Sequence, residues 1–143
     1  MFTHPPAPKP DARTEYRSQE SQRVEDSETL AQKFPNLNSL KASLAHFRPQ
    51  GYVQIGSLKL TFNVEHAKSL VRFDCPNPWC IGGDFDLSME LAKAVAAHRK
   101  IITGEAICQG WRNKNTVGMV PCHHILRFKL SLGYKQPASK SRS

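Results

Sequence analysis

Four cysteines, at positions 75, 80, 108 and 122 of this 143-residue chain, follow the spacing C-x4-C-x27-C-x13-C. A tetrahedral zinc ion needs four such ligands, and a small domain supplies them as two close residues on a corner and two distant ones. Pro76 and Pro78 pre-bend the segment between Cys75 and Cys80, so less chain entropy is lost when both thiolates turn toward one point. Four protein ligands leave no open position for water, so the spacing predicts a structural zinc site.

The identity of the fourth ligand stays open at this stage. If Cys122 begins a strand, its side chain and that of His124 project to the same side. We favour all four cysteines, Cys75, Cys80, Cys108 and Cys122, with His124 as an alternative ligand or as a donor that orients a thiolate.

Two other interpretations of the cysteines are buried free thiols and disulfide or redox chemistry. The N-terminal segment MFTHPPAPKPDAR has prolines where a secretory signal would carry an apolar run. We therefore expect a cytoplasmic, reducing location. No stretch approaches 18 apolar residues, so no membrane partner is expected.

Hydrophobic periodicity predicts an α+β fold, with a small antiparallel sheet of three to four strands, one main helix and a metal staple. Alternating apolar residues predict strands over 58–64, 71–75, 102–111 and 122–134. Helical spacing of Leu87, Leu91, Ala94 and Val95 predicts the helix at about 86–99.

The chain divides into four predicted segments. Residues 1–35 are polar and proline-containing and are expected to form a disordered arm. Leu37, Leu40, Leu44 and Phe47 recur at three- and four-residue steps and predict a short helix over 36–48. Residues 50–135 are expected to form the zinc-stabilised domain, and residues 136–143 a flexible tail.

The net charge of +8 is concentrated at the C-terminal end, where residues 99–143 carry nine basic residues against one acidic residue, Glu105. Such a basic edge attracts phosphate backbones, although it also serves simply as a solubilising surface. We therefore expect a non-catalytic module that binds nucleic acid. The candidate phosphate contacts are Arg112, Lys114, Arg127, Lys129 and Lys135, and the candidate base-stacking residues are Trp111 and Tyr134.

Two alternative functions follow from other features. A protein-interaction or scaffold module would use the N-terminal arm as a tether and Trp79, on the corner between the first two cysteines, as an anchor. A small enzyme would use a reactive Cys122 as its nucleophile.

The segment Val120–Leu126, with the sequence VPCHHIL, resembles the PCHR active-site segment of alkylguanine-DNA alkyltransferases. The resemblance implies that Cys122 accepts an alkyl group and that His123 helps to activate it. It departs from the family at His124, where the family has arginine.

Residues 50–135 also resemble small zinc-ribbon-like domains in a generic way, through paired cysteines on a corner and later cysteines on strands. The four-residue gap between Cys75 and Cys80, and the helix predicted between the two ligand pairs, depart from the usual ribbon.

Overall fold

A computed structural model describes residues 12–77, 79–114 and 118–136, except for the side chains of 112–114 and 118–121. The helices are α1 (Ala12–Asp26), α2 (Leu30–Lys33) and α3 (Ser88–Ala96). The strands are β1 (Leu37–Phe47), β2 (Gln54–Phe62), β3 (Arg72–Asp74), β4 (Cys80–Ile81), β5 (Asp84–Asp86), β6 (Ile101–Ile107), β7 (Trp111–Lys114), β8 (Gly118–Pro121) and β9 (Ile125–Tyr134). The predicted α+β class is confirmed.

A four-stranded antiparallel sheet in the order β2-β1-β9-β6 forms the body of the fold. Alternate residues of β1 and β9 are buried on its inner face, led by Leu40 and Leu44 on β1 and by Leu126 and Leu130 on β9. Helix α3 contributes Leu91 and Ala94 to the same hydrophobic core, and the four cysteines belong to that core as well. The outer face carries charged and polar residues together with exposed isoleucines such as Ile101 and Ile107.

Two smaller sheets surround the cysteines. One pairs β3 with β5, and the other has the order β4-β7-β8. Their strands are two to four residues long, so hydrogen bonding alone holds this region weakly.

The short helix predicted over 36–48 is wrong, because Leu37–Phe47 form the long strand β1. The apolar spacing of Leu37, Leu40 and Leu44 suits a helix face, but Leu40, Ala42 and Leu44 also alternate as a strand does. Pairing with β2 on one side and β9 on the other decides between the two patterns. The folded domain therefore begins upstream of residue 50.

The disordered arm predicted for 1–35 is wrong for the described residues 12–33, which contain α1 and α2. Residues 1–11 of that arm, and residues 137–143 of the predicted tail, lie outside the described residues. Helix α1 contains 15 residues, of which Glu20 is the buried one, so its docking does not depend on an apolar stripe.

Ion pairs around Arg72 hold α1 against β3 and β5. The Arg72 side chain is 5% exposed and lies 2.8 Å from Asp84, 2.9 Å from Asp74 and 3.4 Å from Glu20 of α1. Arg23 of α1 pairs with Glu20 at 2.7 Å. Burial by itself would lower the pKa of Arg72, but its hydrogen bond to Asp84 and the charge of Asp74 raise it.

Tyr16 of α1 joins this network through a hydrogen bond to Asp84. Burial, and then the charge of Asp84, raise the pKa of Tyr16 to about 12. The phenol therefore remains a donor over the physiological pH range.

No helix in the described parts of the chain combines the length and the apolar composition needed to cross a membrane.

Arg72→Met tests the ion-pair network. The substitution leaves the carboxylates of Glu20 and Asp84 without their buried cation, and we expect it to lower the free energy of unfolding by about 3 kcal/mol in urea titrations. Arg127→Met is the control, because the Arg127–Glu105 pair is about half exposed on both sides and should contribute at most about 1 kcal/mol. Equal losses in the two variants would contradict a special role for Arg72.

Candidate metal centre

The four cysteine sulfur atoms converge on one buried point. All four Sγ atoms lie within 4.8 Å of one another, and the side chains are at most 2% exposed. The Sγ atoms of Cys75 and Cys122, and those of Cys80 and Cys108, are each 3.6 Å apart. A tetrahedral ion with metal–sulfur bonds of about 2.3 Å needs sulfur–sulfur distances of about 3.8 Å. The thiols are free, and their arrangement is suited to a metal ion.

Cys75 and Cys80 lie at the two ends of a tight corner between β3 and β4. The Cys80 N–H donates to the carbonyl of Asn77 at 3.0 Å, and the Cys75 N–H donates to the carbonyl of Gly83 at 3.3 Å. Arg13 and Arg17 of α1 both donate to the Cys75 carbonyl, at 3.2 and 3.1 Å. The corner is therefore fixed from both sides.

Cys108 and Cys122 lie in two separate loops that are joined by backbone hydrogen bonds. Cys108 follows β6, and Cys122 lies between β8 and β9. The Cys108 N–H donates to the carbonyl of His124 at 2.8 Å, and the Cys122 N–H donates to the carbonyl of Gly110 at 3.0 Å. These bonds hold two cysteines that are distant in sequence side by side.

Polar groups surround the sulfurs in positions that favour thiolate. The Gly110 N–H donates to Cys108 Sγ at 3.4 Å, and the side-chain amide of buried Asn77 donates to Cys122 Sγ at 3.6 Å. Hydrogen bonds from Cys108, Cys75 and Cys80 lower the pKa of Cys122, and hydrogen bonds to Cys108, Cys122 and Cys80 raise the pKa of Cys75. These contacts favour negative charge on the Cys122 sulfur, which is the form that binds a metal ion.

His124 contacts the cluster without joining its set of mutually close donor atoms. Its Nδ1 lies 3.2 Å from Cys122 Sγ and 3.3 Å from the Cys122 carbonyl. In the described part of the chain, the group of mutually close donor atoms consists of the four sulfurs. His124 therefore has the position of a donor that orients the Cys122 sulfur.

Two glycines make room for the sulfurs. A Cβ atom on Gly83 would lie 2.2 Å from Cys80 Sγ and 2.4 Å from Cys108 Sγ. A Cβ atom on Gly110 would lie 2.5 Å from the Gly83 Cα. Gly83 thus has a packing role beside the sulfurs that the sequence alone does not reveal.

Of the residues predicted to bind nucleic acid, Arg127 and Lys129 lie on the outer face of the four-stranded sheet, where both are exposed. Tyr134 is different, since its hydroxyl donates to the Arg99 and Ala94 carbonyls at 2.6 and 3.3 Å and its ring stacks on His98 at 3.9 Å. The base-stacking role of Tyr134 stays a prediction, and its ring is already in contact with His98.

Trp111 and Lys135, two further predicted contacts, lie outside the four strands of this sheet. Trp111 lies on β7, where its ring packs on Gly82, and it is 38% exposed. Lys135 is exposed just beyond β9. The side chains of Arg112 and Lys114 lie outside the described residues.

Lys41 and Lys59 complete the basic face and were missed by the sequence analysis. The helix predicted over 36–48 contains Lys41, so the sequence does not place this residue on a sheet. The position of Lys59 was predictable, because it alternates with Leu58 and Leu60 on β2 and so points to the opposite face. Strand register, which the sequence does not show, brings both onto the same sheet face as Lys129.

Cys122, the residue that resembles an alkyl acceptor, is 1% exposed, and its sulfur contacts His124 and Cys75. His123, the activating residue in that resemblance, is exposed and has a left-handed backbone with φ of 55°. No protein-family model, curated protein or solved structure matches this chain. Its chemistry therefore has to be inferred from its own residues.

Gly83→Ala should disrupt the metal centre, because the added methyl group would occupy the space of the Cys80 and Cys108 sulfurs. We expect bound metal per chain, measured by mass spectrometry of the purified protein, to fall at least several-fold. Gly56→Ala is the matched control, since a Cβ atom there meets nothing within 4 Å. Full metal content in Gly83→Ala would contradict the sulfur geometry described above.

Proposed function

We propose that this protein is a non-catalytic zinc-binding module that binds nucleic acid through the outer face of its four-stranded sheet. The observation that carries the proposal is a set of four basic residues, Lys41, Lys59, Arg127 and Lys129, on that face. The zinc centre is its structural support.

Zinc is the ion best suited to the four sulfurs. Tetrahedral sulfur sites take zinc or iron, and zinc is the redox-inert ion of closed structural sites. We assign Cys75, Cys80, Cys108 and Cys122 as the four ligands and His124 as the donor to Cys122. Such a site contributes on the order of 10 kcal/mol to folding. A reducing compartment such as the cytoplasm would keep the thiols available to the ion.

Strand register sets the basic residues in rows across the sheet. In one row, Ser43 of β1 lies between Lys59 of β2 and Lys129 of β9. In the next row, Lys41 lies between Thr61 and Ser131. Neighbouring strands are about 4.8 Å apart, so the three lysines lie within reach of one nucleic-acid backbone.

The three lysines surround a shallow depression of about 320 Å³ whose polar lining includes Ser43, Thr61 and Ser131. Ammonium and hydroxyl groups are donors suited to phosphate oxygens. Among the described residues none of the three lysines has an ion-pair partner, whereas Arg127 pairs with Glu105 at 2.6 Å. Neighbouring like charges are unfavourable in the free sheet, and a polyanion would relieve that repulsion.

The simultaneous change of Lys41, Lys59 and Lys129 to glutamine tests this surface. Fluorescence anisotropy with labelled single- and double-stranded oligonucleotides should show wild-type affinity that falls steeply with salt. In the variant, affinity should fall. The slope of log K against log salt should become less negative by about 2 to 3, as expected for three lost phosphate contacts.

The matched control changes Lys33, Lys93 and Arg99 to glutamine. These exposed residues lie on or beside helices α2 and α3, so the net charge changes equally while the sheet face remains intact. The proposal predicts a small effect in the control. Equal losses of affinity in the two variants would mean that net charge alone drives binding, which would overturn the assignment to the sheet face. If the wild-type protein bound neither probe at low salt, the whole proposal would be overturned.

A further inference from the structure

A cavity of about 520 Å³ lies at the end of the sheet, beside the sulfur cluster. It is lined by residues of the β1–β2 connection, of the start of β2, of the corner between the first two cysteines and of the turn before β9, among them Arg48, Pro49, Ile55, Asn77, Trp79 and His124. Its volume is in the range of small-molecule sites, and none of its lining residues is acidic.

Trp79 is the largest exposed apolar group in this lining, with 72% of its surface accessible. Its backbone is nevertheless fixed, since the Trp79 N–H donates to the Asn77 side-chain oxygen at 3.1 Å. The amide of the same Asn77 donates to Cys122 Sγ. Because the Trp79 N–H is already bonded, less conformational entropy is lost when a flat partner covers the indole ring.

The basic surface of the sheet continues to this cavity. Arg48 directly follows β1 and begins the turn that Gly51 closes, with the Gly51 N–H donating to the Arg48 carbonyl at 2.9 Å. The Arg127 guanidinium lies against this turn, because a Cβ atom on Gly51 would be 2.9 Å from its terminal nitrogen. Arg127 also lies over the Phe47 ring at 4.4 Å. Arg127 thus connects the lysine rows with Arg48.

The two surfaces offer complementary chemistry. The lysine rows supply cations and hydroxyls, and the nearby Phe47 ring is covered by Arg127. The cavity supplies an uncovered indole together with one guanidinium group. A nucleotide has a flat aromatic base and a phosphate, which match these two groups.

We infer that this cavity accepts an unpaired base of a single-stranded nucleic acid whose backbone follows the basic sheet face. Trp79 stacks on the base, and Arg48 binds a neighbouring phosphate. The inference rests on the proposed function and refines it, because a duplex has no free base face to offer Trp79.

The test uses the metal-loaded, full-length protein with Trp79→Leu and Trp79→Phe substitutions. Anisotropy titrations use one labelled oligonucleotide at low salt, single-stranded and annealed to its complement. Trp79→Leu should weaken single-strand binding by about 5- to 150-fold, the loss expected for one stacked base, and should change duplex binding less than about twofold. Trp79→Phe keeps a stacking ring and should retain most of the affinity.

The results separate this inference from the proposed function. If the triple lysine variant loses affinity while Trp79→Leu binds single strands like wild type, the sheet surface stands and the base pocket is overturned. If Trp79→Leu loses single-strand affinity and the lysine variant does not, base stacking on Trp79 is supported, while the sheet surface and the path of the backbone along it are overturned. Equal loss of single-strand and duplex affinity in Trp79→Leu also overturns the base pocket.

Discussion

The convergence of four buried sulfur atoms is the constraint on which this fold depends. The surrounding strands are short, with two residues in β4 and three in each of β3 and β5. The four thiols come from three separate stretches of chain and meet within 4.8 Å. A bound ion would join these stretches where strand pairing is weakest. The Cys75–Cys80 corner, which carries Trp79, and the turn that leads into β9 take their positions from this point.

Acidic and basic residues are concentrated in different parts of the molecule. Asp74, Asp84 and Glu20 gather around Arg72, where they hold α1 in place. The outer face of the sheet retains four basic residues and the acidic Glu105. That face therefore carries four positive charges against one negative charge, and the carboxylates of Asp74, Asp84 and Glu20 are paired elsewhere in the molecule. Ordered ion pairs explain why a polar N-terminal segment packs on the domain, and the carboxylates that form them lie away from the three lysines of the sheet face.

Sequence patterns predicted the elements whose signal is local. Alternation in β9 and helical spacing in α3 each correspond to one buried face, and the cysteine spacing identified the cluster. The helix predicted over Leu37–Phe47 is wrong because the apolar spacing of this segment suits a helix as well as a strand. Only pairing with β9 decides between the two structures. Helix α1 was missed because Arg72, more than 45 residues away from Glu20, provides its anchor. Long-range register likewise places Lys41 and Lys59 on the same sheet face as Lys129, which no local pattern encodes.

X-ray absorption at the zinc edge of the purified protein tests the central claim most directly, because it reads the ligand set of the bound ion. The account predicts one zinc ion per chain with four sulfur neighbours at about 2.3 Å. A first shell that contains imidazole nitrogen at about 2.0 Å would replace Cys122 with His124 as a ligand. A protein that is fully folded without bound metal would contradict the claim that the fold depends on this metal centre.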